Sequence, residues 1–198
     1  MKKFIYYIFI ATILLGLSGC SGSIKNMQIA QIDNTITKPK EGKAKIIFMR
    51  PNSMAFGIQS SLFEIIDNEP SILSIVAAKK KVSHSFNPGK HLFMIVGESA
   101  DFMYADLQAN KIYYTLVTPR MGLWKARFSL KPLTTTELNS KEFQEWLSDS
   151  QVVESNVDTK IWAKDNKESI KEKYLDYYKD WMKKDESKRP KLIDYMNN

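Results

Sequence analysis

Few side chains in this 198-residue sequence could do chemistry, and each kind implies something different. Cys20 is the only thiol, so no disulfide can form within the chain and no two-cysteine zinc or redox spacing exists. The fold must be stable without disulfides even in an oxidising compartment. His84 and His91 are the only histidines. If Pro88-Gly89 is a two-residue turn, His84 opposes Phe93, Phe86 opposes His91, and both imidazoles share one face of a hairpin. A metal would want a third and usually a fourth ligand. Neither strand offers an Asp or Glu, so the pair reads as ordinary packed or surface histidines. Ser83 and Ser85 alternate onto the other face. There is no Gly-x-Ser-x-Gly elbow and no phosphate-binding glycine loop. Hydrolysis is therefore the least favoured reading, and no catalytic residue, metal or cofactor is expected.

The net charge of +7 is unevenly spread. Residues 43–133 carry twelve Lys and Arg against six acids, whereas residues 134–198 carry twelve against fourteen. Lys79, Lys80 and Lys81 form one run, and Lys125, Arg127 and Lys131 lie on one side of an alternating stretch. These six are the candidate contacts for an anionic small molecule, lipid headgroup or envelope polymer. Lysines also guard turns and edge strands against aggregation, and that plainer role is favoured.

The elements that must position these groups begin with a leader. Lys2 and Lys3 precede an apolar run from Phe4 to Leu17, fourteen residues long. A spanning helix needs about 20 apolar residues, and a shorter run between a basic start and small residues fits a secretory signal segment. Leu17-Ser18-Gly19-Cys20 resembles the lipobox of bacterial lipoprotein signal peptides at all four positions. The resemblance implies cleavage of residues 1–19 and a mature N-terminus in which Cys20 carries a diacylglyceryl thioether and an amide-linked acyl chain such as palmitate. Each buried CH₂ contributes about 0.8 kcal/mol, and two or more chains hold stably. By the lipoprotein sorting pattern it resembles, Ser21 in place of Asp favours the outer membrane. Loss of Lys2 and Lys3 lowers the net charge from +7 to +5.

Residues 20–42 are rich in Ser, Gly, Asn, Gln, Thr and Lys and read as a flexible tether with a reach of about 25 Å. From 43 to 133 short apolar runs alternate with turn residues, the pattern of an antiparallel β-protein. Strands are expected at 44–50, 62–66, 72–77, 82–86, 90–96, 102–107, 112–118 and 124–131. Asn87-Pro88-Gly89 reads as a hairpin turn, with further turns at Asp67-Asn68 and Ala109-Asn110. The last strand is the clearest, with Trp124, Ala126, Phe128 and Leu130 on one face and polar residues on the other. The expected fold is mainly β, an antiparallel β-sandwich of about eight strands followed by a C-terminal helical segment.

Ala44 to Pro51 (AKIIFMRP), Ile65-Ile66-Asp67-Asn68, Asn87-Pro88-Gly89-Lys90-His91 and Asn110-Lys111-Ile112-Tyr113-Tyr114 resemble the landmarks of a family of small bacterial lipoproteins catalogued as a domain of unknown function. The likeness spans roughly residues 44–130 and implies a β-sandwich with no established activity. Two glycines of the family pattern are Asn68 and Asn110 here, and asparagine also tolerates the left-handed conformation those turns require.

Residues 134–198 change period. Thr134 to Glu137 reads as a capping box, Phe143, Trp146 and Leu147 mark a short amphipathic helix, and Val153, Val157 and Ile161 step by four. Ile170, Tyr174, Tyr177, Tyr178 and Trp181 continue a helical stripe to about Lys184. That aromatic helix is expected to pack on the β-part, the alternative being a helix that seeks a groove or membrane surface. Function is expected to be non-enzymatic: an outer-membrane lipoprotein, held by its lipid anchor, that binds or supports an envelope protein or polymer. The alternative is a module that binds an anionic ligand through the basic β-face. Nucleic acid is not an expected partner.

Overall fold

The computed structural model describes residues 24–30, 38–121 and 126–196. The leader, Cys20 and residues 122–125, which include Trp124 and Lys125, lie outside the described residues.

The chain is mainly β, as expected, but among the described residues its sheets are mixed and hold eleven strands rather than eight antiparallel ones. One sheet is built from β1 (Met27–Ile29), β2 (Ala44–Arg50), β5 (Lys80–Phe86), β8 (Ile112–Met121), β9 (Ala126–Pro132) and β10 (Gln151–Ser155), in the order β1-β10-β5-β2-β8-β9. The other holds β3 (Ser60–Ile66), β4 (Glu69–Val76), β6 (Gly89–Val96), β7 (Ala100–Leu107) and β11 (Lys191–Leu192), in the order β11-β7-β6-β3-β4. Pairing is parallel between β2 and β8, β5 and β10, and β7 and β11.

All eight expected strands are present. What the residue pattern misjudged is who pairs with whom. Asn87-Pro88-Gly89 does not close a hairpin: β5 pairs with β2 while β6 pairs with β3 and β7, so the turn carries the chain from one sheet to the other. Turn chemistry is the same for both uses. Ala109-Asn110 is likewise a crossover, from β7 to β8. Asp67-Asn68 does close a hairpin, with φ of 52° and 61°, and Asn110 has φ of 62°. The three asparagine or aspartate positions therefore adopt the left-handed conformation the turns need.

The two sheets face each other across one apolar core. Ile46, Phe48, Val82, Tyr113 and Phe128 from the first meet Leu62, Phe93, Ile95 and Met103 from the second. Phe48, Phe86 and Phe93 stack edge-on at 5.1 to 5.4 Å, each pair contributing about 0.5–1.5 kcal/mol beyond its buried area. Gly97 in the β6–β7 hairpin lies so close to β9 that a Cβ there would meet the Phe128 ring at 2.6 Å.

Helices cover both outer faces. Thr134 caps α1 (Thr135–Leu138) with the expected capping box, and α2 (Lys141–Asp149) follows. Leu138 and Phe143 pack on Ile47, Met49, Tyr114 and Leu116 of the first sheet. The step of Val153, Val157 and Ile161 is not one helix: β10 ends at Ser155, and Asn156 caps α3 (Val157–Asp165). The aromatic stripe lies on α4 (Lys167–Met182), whose Ile170, Tyr174 and Trp181 pack against Phe63, Met94 and Phe102 of the second sheet. Trp181 meets Phe102 at 5.7 Å and Tyr104 at 5.1 Å. The helix is thus part of the body, in accord with the favoured reading.

The segment read as a tether is also partly built in. Within residues 20–42, Met27–Ile29 forms β1, antiparallel to β10, and Met27 is buried in the main core.

Connections sort the body into two ends. Residues 51–59 join β2 to β3 and residues 77–79 join β4 to β5 at one end. Residues 87–88 and 108–111 make the crossovers at the other.

Candidate functional site

At the end marked by residues 87–88 lies a cleft of about 860 Å³. Its walls come from the last residues of β3, β5 and β7, the first of β6, and the chain entering β11. His91 stands at its base because strand alternation puts it on the core side of β6 beside Phe93, the rings stacked at 6.0 Å. Phe86 touches it edge-on at 5.5 Å.

Both ring nitrogens of His91 have acceptors. Nε2 donates to the Asn87 carbonyl at 2.9 Å, and Nδ1 lies 2.6 Å from Glu64 Oε1. A carbonyl can only accept, and so can an ionised carboxylate. Both nitrogens then carry protons, which makes the pair an imidazolium–carboxylate contact with side chains only 13% and 15% exposed. The Glu64 hydrogen bond raises His91 above the ordinary histidine value; burial opposes it, and the Asn87 carbonyl adds to the rise. Around this base, Ile65, Ile66 and Leu92 give apolar wall, while Lys90, Asp106, Glu186 and Lys191 bring charges of both signs. Lys90 and Asp106 are direct cross-strand neighbours.

Glu64 is what sequence reasoning missed. It shares a strand face with Leu62, a fully buried residue, so an acid falls in phase with the core and demands a partner. That signal was present, but β3 is not adjacent in sequence to His91, and nothing local joins them.

His84 sits elsewhere, on the core side of β5. Its Nε2 lies 2.7 Å from Ser74 Oγ, Ser74 Oγ lies 3.2 Å from Ser155 Oγ, and Ser155 Oγ donates to the Leu73 carbonyl at 2.7 Å. Ser155 has one proton and commits it to the carbonyl. Ser74 therefore donates to Ser155 and accepts from His84, which carries its proton on Nε2. This is the reverse of a serine activated by a base, and Ser74 is fully buried. Burial pushes His84 down to about 4, so the ring is neutral and acts as a cross-sheet tie. The two histidines do not share a site.

The five of the six basic residues that are described are not brought together. Lys80 and Lys81 are 2% and 4% exposed. Lys80 Nζ donates to Gln151 Oε1 at 2.7 Å, and Lys81 Nζ donates to the Leu147 carbonyl at 2.5 Å near the end of α2. Burial lowers both ammonium groups below the ordinary lysine value. Their ammonium groups are bonded inside the fold. Lys79 is on the surface, 3.8 Å from Asp149. Arg127 pairs with Glu98 at 3.7 Å and Lys131 with Glu137 at 2.6 Å, on β9, with two strands between it and β5 in the sheet. Lys125 lies outside the described residues.

Among the described residues, no group of three or more His, Cys, Asp or Glu side chains is placed to hold a metal, and no helix is long and apolar enough to cross a membrane. No family model, curated protein or solved structure matches this chain.

Proposed function

We propose that the protein is a lipid-anchored binding protein of a bacterial envelope, joined to the membrane through Cys20 and engaging another envelope component through the cleft over His91 and Glu64. The cleft carries the reading: it is large enough for a small molecule or a peptide segment, mostly preformed by strand ends, and holds one buried ionic pair among apolar walls. Its mixed charges suit a ligand with an apolar body and polar groups of either sign rather than a uniformly anionic polymer. The lipobox and the short apolar run before it support the anchor, and Ser21 supports the outer membrane. The role needs no catalysis.

In-cell photo-crosslinking tests the reading. A photoreactive residue at Lys90 is expected to give a discrete adduct with an envelope component, and one at Glu145, on exposed α2, none. Absence of an adduct from Lys90, or the same adducts from both positions, would rule the cleft out. Labelled palmitate is expected to enter the protein and to be lost in Cys20→Ala.

A further inference from the structure

The end of the body opposite the cleft exposes apolar side chains on a loop whose backbone is held from within. Met54 is 53% and Ile58 43% exposed, and Phe56 between them is partly buried. Arg50, fully buried on the core side of β2, donates to the carbonyls of Ile58 at 2.6 Å, Met54 at 2.6 Å and Ala55 at 2.7 Å. Its guanidinium lies 4.8 Å above the Phe128 ring. The Ile58 amide donates to the Ala55 carbonyl at 2.9 Å, and Ala55 takes a left-handed φ of 53°. The carbonyls of Met54, Ala55 and Ile58 and the Ile58 amide thus bond within the protein, while Met54 and Ile58 present apolar side chains outward. That is what a segment entering a bilayer requires, because the hydrocarbon region offers no water to satisfy N–H and C=O groups.

The attachment point lies beside it. Ile24 packs against the main core, and the Lys25 carbonyl accepts from Gln59 Nε2 at 3.1 Å, next in sequence to Ile58. Only residues 21–23 separate Cys20 from Ile24. At no more than about 3.6 Å per residue, Cys20 cannot lie farther than about 15 Å from Ile24. A reach of about 25 Å is excluded; the body is held close to whatever Cys20 is anchored in.

We propose that the tip Met54–Ile58 is the face this protein lays on the bilayer, inserting Met54, Phe56 and Ile58 among the lipids; the inference rests on the reading of Cys20 as the anchor. Exposed Lys25 shares the adjoining hollow with Asp158 and Asp165, so the contact is apolar rather than electrostatic and insensitive to salt. The cleft, at the opposite end, then points away from the membrane.

The test uses the full chain as extracted from cell membranes and reconstituted in phosphatidylethanolamine–phosphatidylglycerol vesicles. An environment-sensitive fluorophore is placed on Ile58→Cys and, separately, on Lys90→Cys at the cleft. The Ile58 label is expected to shift to the blue and to be quenched by brominated lipid several-fold more than the Lys90 label, equally at low and high salt. Met54→Asp, at an exposed position, is expected to bring the Ile58 quenching down toward the Lys90 level without changing the melting temperature. Equal quenching at the two sites would overturn the proposal. The mass of the N-terminal peptide separates the causes: equal quenching on an acylated chain removes the loop contact alone, whereas an unacylated Cys20 removes the anchor and the loop contact with it.

Discussion

The two ends of this body are held by different chemistry. At one, a buried arginine with no carboxylate among its partners gathers three carbonyls of loop 51–59. At the other, a histidine and a glutamate from two strands close the base of a cleft. Burial lowers Arg50 to about 10, which still leaves it charged at any physiological pH. The His91–Glu64 contact depends on a titratable imidazole proton, which the carboxylate holds more tightly than in an ordinary histidine. The loop end is therefore permanently set, and the cleft end is tunable.

Substitutions that strike one end and spare the other test this contrast. The largest effect is expected from Arg50→Met, which leaves carbonyls unsatisfied and removes the cation from Phe128. Urea unfolding should show a loss of about 3 kcal/mol, nearly constant from pH 6 to 8. Next is Gly97→Ala at the same end, where the new Cβ drives into the Phe128 ring, costing about 2 kcal/mol by the same measurement.

Glu64→Gln should cost about 1 kcal/mol at pH 6 and change the shape of the pH profile. His91 is raised in the folded state, so its contribution is full below the ordinary histidine value and is lost as pH rises through the folded value. His84 is depressed to about 4, so it acts in the opposite sense: its contribution is present above the ordinary value and is lost as pH falls from there toward 4. Wild-type stability is expected to decline on both sides of a maximum near pH 6 to 7. Glu64→Gln should flatten the alkaline side and, by removing the negative charge that raises His84, deepen the loss on the acid side; an unaltered alkaline side would break the comparison. The smallest effect is expected at the cleft-end hairpin. Asn68→Gly relieves a left-handed asparagine but deletes the acceptor of the Tyr174 hydroxyl at 3.4 Å, so stability should change by about 0.5 kcal/mol or less, without altering the pH profile.

Much of the fold was legible in the residues, because alternation marks a strand wherever one face is buried. Ala44–Arg50 is found as read, and Thr134 to Glu137 forms its capping box. Partnership was not legible. Pro88-Gly89 turns the chain tightly whether the next strand pairs with the last or joins the facing sheet, and only the whole core decides. β10 was read as helix because Val153, Val157 and Ile161 step by four; its strand character comes from pairing with β5 and β1. The same limit hid the site: His91 was visible, but its carboxylate partner comes from three strands earlier in the chain, and the lysine run that looked like a surface feature is largely consumed by Gln151 and Leu147.

The sheet borders have a consequence of their own. One sheet stops at a strand of three residues, β1, and the other at one of two, β11, while β4 carries Pro70 near its start and β9 carries Arg127 and Lys131. Every border is thus short, prolyl or cationic, and gives a neighbouring copy little ladder to extend. Copies crowded side by side at high density should stay separate rather than zip into fibres.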